Sequence, residues 1–375
     1  MRAAVLLEQT LAPVPGGTGR YSAELAAGLA RSAGPTDQVI SWTAWHRDTR
    51  PAVIEGVAGP RRLHLPRRGL IAAWERNLGP VLDGADVAHA PTLLMPPQRR
   101  VLRAGARVPL VVTIHDAVPW THPQTLTPRG VRWHREMAAS AVAHADAVVV
   151  PTDAVAEELS ALFPALGGRL HALGAGVTRT LLLAPDETER VVAQLRLPDR
   201  YLISLATLEP RKGLDVLVNA LALLGNTAPD LVVAGQPGWG GVDLPAVANR
   251  AGLAADRIRL VGRLTDRELA VVLRRASALV APSRAEGFGM PVAEAMAVGT
   301  PVICSDAPAL VEVAADAAMV VRREDPGALA EAIDALMRDE PLRARLARAG
   351  LVRAARYDWD EVARRAWRLY YELAG

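Results

Sequence analysis

Short runs of Val, Ile, Leu and Ala recur along this chain between stretches whose apolar residues repeat at helical spacing. A strand that is apolar at successive rather than alternate positions is buried on both faces. The architecture that buries both faces is a parallel sheet with helices packed on either side. The chain is therefore an α/β protein. In its first half the strand candidates are 3–7, 39–42, 87–90, 110–114 and 147–150; in its second half they are 201–206, 231–234, 258–261, 278–281 and 301–304. Between the two sets, 175–200 holds Gly176, Pro185, Pro198 and several charges with little strand character, which marks a linker. Two domains follow, 1–185 and 186–357, and 375 residues supply enough apolar surface for a core in each.

Helices fill the intervals. Over 20–31, Tyr21, Leu25 and Leu29 form one apolar stripe while Arg20, Glu24 and Arg31 fall elsewhere, and Gly16-Gly17-Thr18-Gly19 comes immediately before. The segment 358–375, DWDEVARRAWRLYYELAG, reads as an amphipathic helix with Val362, Ala366, Leu369 and Leu373 on one face. Asp358 or Asp360 stands at its cap.

Several classes of protein are disfavoured. No apolar run approaches the roughly 20 residues of a membrane-spanning helix, and the opening MRAAVLLEQTLAP is too short and too soon acidic for a secretory leader. The expectation is a soluble cytoplasmic protein. The one cysteine, Cys304, lies in the apolar run TPVICS and reads as a buried strand thiol rather than a nucleophile. Residues 1–185 carry 19 Arg against 14 Asp and Glu, so the basic excess belongs to the first half. Part of it lies in 59–77, where Arg61, Arg62, Arg67 and Arg68 precede Leu70, Ile71 and Trp74. That mixture suits peripheral docking on an anionic membrane at the inner face, or on an anionic acceptor; a solvated loop and helix face is the plainer reading.

The stretch most informative about chemistry is 285–294, AEGFGMPVAE. Pro291 suits the first position of a helix and Gly299 the residue just past its end, giving a helix over 291–298. The amides of Gly289 to Ala293 would then point out of its N-terminus, where a phosphate is favoured and glycines admit it closely. Glu286 and Glu294 can accept hydrogen bonds from sugar or ribose hydroxyls there, although glutamates also favour a helix N-terminus on electrostatic grounds alone.

A second signal, LEPRKG at 208–213, follows the strand candidate 201–206 and places Arg211 and Lys212 at the strand's C-terminal edge, where open α/β sheets bind ligands. Lys212 is the only lysine in the chain, against 42 arginines. An ammonium and a guanidinium facing one diphosphate would offset the charge that builds on a departing nucleoside diphosphate. In the first half, the glycine run 16–19 could admit a ligand to the backbone. His115-Asp116 ends the strand candidate 110–114; Asp116 could orient the imidazole, or the pair could cap the next turn.

Taken together, GGTGRYSAELAAGLA, VVTIHD, LEPRKGLDVLVNAL, LVVAG, LVGRLTDREL and SRAEGFGMPVAEAMAVGTPVICSD resemble glycosyltransferase family 4, the retaining enzymes of GT-B fold. The resemblance implies two Rossmann-like domains facing a central cleft, an N-terminal acceptor domain and a C-terminal nucleotide-sugar donor domain, with the last helix, 358–375, crossing back to the first. It implies catalytic parts for His115, Arg211, Lys212 and Glu286. It also implies donor binding by Gly17, Gly19, Gly262, Arg263, Leu264, Gly287, Phe288, Gly289, Met290 and Glu294. The nucleotide sugar would be a co-substrate, with no cofactor and no metal; the acceptor would be a glycan, a lipid-linked or a small molecule, and no nucleic-acid partner is expected. The form TLEPRK is similar to bacterial mannosyl- and rhamnosyltransferases that build polysaccharides, which favours GDP-mannose over UDP-glucose or dTDP-rhamnose. Many relatives carry an arginine shortly before the Arg-Lys pair where this chain has Ala206-Thr207-Leu208.

Rival readings are a metal-dependent transferase using Asp358-Trp359-Asp360, a phosphorylase or epimerase of the same architecture, and a silent nucleotide-sugar-binding subunit. Helix capping explains the Asp pair better, and the intact set of Arg211, Lys212, Glu286 and Glu294 argues against a silent subunit.

Overall fold

The computed structural model describes residues 1–97, 102–103 and 106–375. They form two compact units: one comprises 1–120, 129–175 and 358–375, the other 121–128 and 176–357.

The first unit is built on β1 (Arg2–Leu6), β2 (Gln38–Trp45), β3 (Ala58–Pro66), β4 (Val87–Ala90), β7 (Leu110–Thr113), β8 (Ala147–Val150) and β9 (Leu170–Ala172), with a minor hairpin of β5 (Leu102–Arg103) and β6 (Ala106–Arg107). The sheet order is β3-β2-β1-β4-β7-β8-β9, and every pairing in it is parallel. The second unit has β10 (Tyr201–Leu205), β11 (Asp230–Ala234), β12 (Ile258–Gly262), β13 (Ala278–Ala281), β14 (Val302–Ser305) and β15 (Met319–Val321) in the parallel order β12-β11-β10-β13-β14-β15. Both are doubly wound sheets, and in each the strand order reverses at one point: between β1 and β4, and between β10 and β13. Loops leaving adjacent strands there diverge to opposite faces and open a crevice at the strands' C-terminal ends.

The ten strands read from apolar runs are all present. Besides the β5–β6 pair, β3, β9 and β15 are additional, and all three sit at edges of the two large sheets, where one flank needs no apolar partner. β3 corrects the reading of 59–77 as a loop and helix face: 58–66 is an edge strand, followed by the helix Arg67–Trp74. Leu70 and Trp74, expected to be available for a membrane, are 0% and 3% exposed and pack into the first core. The exposed side chains left on this segment include Arg61, Arg62, His64 and Arg68, and the Arg61 guanidinium lies over the Trp42 ring at 5.5 Å.

The stretch 176–200 carries two helices, Arg179–Leu182 and Thr188–Leu195, and no strand among its residues. The helix Trp359–Ala374 packs on the helix Gly16–Arg31 of the first unit, so the chain does cross back. Close approach is possible because Gly28 has no side chain: a Cβ there would lie 2.8 Å from the Trp359 carbonyl oxygen. Trp367 adds a hydrogen bond from Nε1 to the Leu29 carbonyl, 3.0 Å. Asp358 caps the helix by accepting from the Asp360 amide at 3.0 Å, and Asp360 pairs with Arg31 at 2.8 Å. Both carboxylates of the Asp-Trp-Asp run are thereby accounted for by structure.

Candidate active site at the switch point of the second sheet

Two loops meet where the second sheet reverses its order. The loop after β10 runs through Leu208 and Glu209 into a single turn, Pro210–Lys212, and then through Gly213 into the helix Leu214–Leu224. The apolar spacing puts Leu214, Leu217, Val218, Leu221 and Leu224 on the buried side of that helix; the first four lie in the core and Leu224 is half-buried. The loop after β13 carries Ser283, Arg284 and Glu286 to the helix Met290–Ala297. The loops are stitched together by a hydrogen bond from the Arg284 amide to the Arg211 carbonyl, 2.8 Å. Gly213 is held at φ 63°, and a Cβ on it would stand 2.1 Å from the Pro282 carbonyl oxygen, so only glycine allows this approach.

Across this seam the predicted residues come together. Glu286 Oε1 accepts from Lys212 Nζ at 2.6 Å and from Ser283 Oγ at 2.7 Å. Glu286 Oε2 accepts from Arg211 Nη1 at 3.0 Å. Ser283 is fixed in turn, because its carbonyl accepts the Ser305 hydroxyl at 2.5 Å. Burial alone would raise the Glu286 carboxyl, but Lys212 and then Arg211 outweigh it and hold the group at about 2, so it is a carboxylate at every physiological pH. Lys212 and Arg211 line one wall of a cation-rich corner, and a small cavity beside it is bordered by Ser204, Lys212, Ser283, Glu286 and Gly289.

Two partners in this network are absent from the residues singled out by sequence. Glu209, 2% exposed, accepts from Arg211 Nη2 at 2.7 Å. Its burial is the largest influence on it and keeps its carboxyl above the usual range, despite the opposing pull of Arg211 and Lys212. Arg284 pairs with Asp215 at 2.7 Å and with Glu324 at 2.8 Å, and donates to the Pro210 carbonyl, which pins the turn bearing the two cations. Both residues sit within the quoted motifs, but burial and cross-loop partners are tertiary facts that a local pattern does not carry.

The helix expected over 291–298 occupies Met290–Ala297, with Gly289 as its N-cap at φ 91°. The amides of Val292 and Ala293 both donate to the Gly289 carbonyl, at 2.9 and 3.3 Å, so they are consumed inside the helix rather than presented to a ligand. A guest anion must therefore use backbone before Val292. The positive φ favours glycine there, and a Cβ would also displace the Leu310 Cδ2 methyl, 2.3 Å away. The ring of Phe288 packs edge-on against Tyr357, centroids 5.3 Å apart, so this residue can offer a ligand only its backbone. Gly287 is buried and Met290 half-buried. Glu294, one turn into the helix, is 4% exposed. Gly262 takes φ 70° at the end of β12, followed by exposed Arg263 and half-buried Leu264. Thr265 then caps the next helix in a reciprocal bond with Glu268.

His115, Gly17 and Gly19 belong to the first unit. The helix expected from residue 20 begins at Gly16, so the glycine run is its first turn rather than a preceding loop. Gly19 is required by the chain's own packing: a Cβ would meet Pro15 Cβ at 2.6 Å. Tyr21, two residues on, stacks edge-on against His115 with centroids 4.8 Å apart. His115 Nε2 donates to the Pro91 carbonyl at 2.8 Å, which leaves Nδ1 as the acceptor nitrogen, and burial lowers its pKa so the ring is neutral. Of the two readings for Asp116, capping holds, since its Oδ1 accepts the Val118 amide at 3.1 Å. Cys304 is 1% exposed with its thiol pushed up to about 12, as an inert strand residue.

Comparison with known proteins places this geometry in context. Residues 185–353 match the family model for glycosyl transferases group 1, and residues 15–181 match that for glycosyltransferase family 4. A D-inositol 3-phosphate glycosyltransferase of Xylanimonas cellulosilytica is 31% identical over 93% of this chain and 89% of its own length. An O-antigen chain mannosyltransferase B of Escherichia coli is 29% identical over 83% of this chain and 78% of its own. Two further curated relatives are matched over 53% and 44% of their lengths. Among solved structures, Anabaena HepE in complex with UDP-glucose superposes with a TM-score of 0.76 at 18% identity, covering all of both chains.

Proposed function

The chain belongs to the family 4 glycosyltransferases, a family of GT-B enzymes, and from that premise we propose that it transfers a hexose from a nucleotide-sugar donor to a hydroxyl of its acceptor with retention of anomeric configuration. The observation that carries the reading is the meeting of Lys212, Arg211 and Glu286 across the switch point, two cations and an ionised carboxylate on opposed loops. Lys212 and Arg211 would face the donor diphosphate and stabilise the charge that grows on it as the glycosidic bond breaks, in place of a metal ion. Glu286 would accept hydroxyls of the transferred hexose and Glu294 those of the ribose. Backbone at Gly287 to Met290 would approach phosphate and sugar, and Gly262, Arg263 and Leu264 would border the base.

No side chain of the second unit stands as an obvious nucleophile, because the Glu286 carboxylate is engaged by three donors. A front-face displacement, in which the departing diphosphate takes the proton of the incoming hydroxyl, is the mechanism we favour. The donor we favour is GDP-mannose, supported by the motif form and by the name of the Escherichia coli relative. UDP-glucose is the alternative, kept by the ligand in the HepE structure. The acceptor is a glycan, a lipid-linked or a small molecule. No helix among the described residues is long and apolar enough to cross a membrane. Any attachment of 58–68 to an anionic surface is on our reading electrostatic, through Arg61, Arg62 and Arg68.

A thermal-shift series with UDP, GDP, ADP, dTDP and CDP, with and without magnesium, tests the proposal, because a ligand of the folded state raises apparent stability. Selective, metal-independent stabilisation by one diphosphate is expected. The absence of any shift would count against a preformed donor site and leave a silent subunit or an enzyme that binds its acceptor first.

A further inference from the structure

Glu209 is the most buried charge in the donor corner, and its geometry gives it a specific task. It lies in extended backbone just before the Pro210–Lys212 turn and takes Arg211 Nη2 at 2.7 Å. The other terminal nitrogen, Nη1, serves the opposite loop, donating to the Ala285 carbonyl at 2.9 Å and to Glu286 Oε2 at 3.0 Å. The guanidinium is thus stretched between two carboxylates on two loops. Arginine otherwise prefers to close on a single carboxylate with both of its terminal nitrogens.

Resting on the reading above, in which Glu286 binds the transferred hexose, we propose that Glu209 is a positioning residue that holds Arg211 Nη2 away from Glu286 and so keeps the Glu286 carboxylate open to the sugar. The carboxylate of Glu286 already receives Lys212, Ser283 and Nη1 of Arg211. Without Glu209, Nη2 swings to Glu286 and closes a fork there. A sugar hydroxyl then has to displace a two-point ion pair instead of joining a one-point contact. The same four groups, Glu209 and Glu286 against Arg211 and Lys212, are charge-balanced, so removing Glu209 also leaves a net positive corner. A purely electrostatic role for Glu209 therefore predicts the opposite outcome: tighter donor binding and faster departure of the diphosphate.

The test uses the full chain carrying Glu209→Gln or Glu209→Ala, each also in an Arg211→Gln background. Release of hexose from GDP-mannose and UDP-glucose gives the rate, calorimetry gives the affinity for bare GDP and UDP, and melting reports the fold. We expect a rate lowered roughly tenfold or more, the scale of one charge-assisted hydrogen bond, with bare diphosphate bound as well as or better than by the parent and melting little changed. In the Arg211→Gln background, Glu209→Gln should cost nothing further, since a residue that acts through Arg211 has nothing left to act on. A rate equal to or above the parent's, or losses that multiply in the double variant, would overturn the proposal. So would a joint fall of rate, diphosphate affinity and melting temperature, which would mark a structural role. If the parent protein neither binds nor turns over any of these nucleotides, the donor-site reading fails instead.

Discussion

Lys212 Nζ lies 2.6 Å from Glu286 Oε1, a contact made across two loops that leave neighbouring strands on either side of the point where the sheet reverses. The pair joins the only lysine in the chain to a carboxylate that also takes Ser283 and Arg211. On the proposed reading, a diphosphate entering this corner would compete with Glu286 for the ammonium and so release Glu286 toward the sugar.

Lys212→Ala should lower turnover by about two orders of magnitude or more, the usual consequence of losing a preorganised electrostatic stabiliser. Steady-state hydrolysis of the nucleotide sugar measures it. Near-normal turnover would remove Lys212 from the mechanism.

Glu294→Ala should weaken donor binding by about 1–3 kcal/mol, since a buried ribose hydroxyl would lose its acceptor. Calorimetry with a nucleoside diphosphate and its 2′,3′-dideoxy analogue gives a sharper form. The parent should discriminate between the two and the variant should not; equal discrimination by both would clear Glu294 of the ribose.

Glu286 connects the site to acid stability. Its folded-state value, about 2, lies below the ordinary 4.5. A depressed carboxyl contributes stability that is present above the unfolded value and lost as pH falls through the folded one. Denaturant midpoints of the parent protein should thus fall between about pH 4.5 and 2 by more than those of Glu286→Gln, a difference on the order of 2–3 kcal/mol. Parallel acid profiles for the two proteins would show that the pairing adds no net stability.

Gly213→Ala should cost both fold and function. A left-handed alanine loses roughly 1–2 kcal/mol, and here its Cβ would also strike the backbone oxygen of Pro282 at 2.1 Å. We expect melting to drop by roughly 5 °C or more, with donor affinity reduced as the loops part. Gly252→Ala is the control, because its φ is 76° and nothing lies within 4 Å of the added atom. Equal effects at the two positions would mean that strain alone, rather than the seam, is responsible.

Sedimentation with vesicles tests the basic edge strand. With Leu70 and Trp74 in the core, binding to anionic vesicles should be weak and should vanish in about 1 M salt, where charges are screened within roughly 3 Å. Binding that survives high salt would require an apolar contact that this segment does not present.

The fold was legible where strands are buried on both faces, because 110–114 or 231–234 can be read as strand from apolar content alone. β3 was not: Pro60, Arg61, Arg62 and His64 lie on an edge strand, and nothing in a one-sided environment demands apolar residues. In the site, Arg211, Lys212 and Glu286 were legible because their backbone contexts, a strand end and a glycine-rich turn, are local. Glu209 was not, since its significance is a burial and a partner choice that only the packed loops create. The glycine run 16–19 and the amides of Val292 and Ala293 were misread for a related reason. The exact residue at which a helix begins depends on bonds, such as those to the Gly289 carbonyl, that sequence specifies loosely.

The packing of Gly28 against the Trp359 carbonyl sets an order of events during synthesis. The first sheet is complete once residue 172 has been made, yet the face of its first helix waits uncovered while the whole second unit is translated. A ribosome that stalls or a protease that cuts before Trp359 leaves a chain without the helix that covers this face of the first unit.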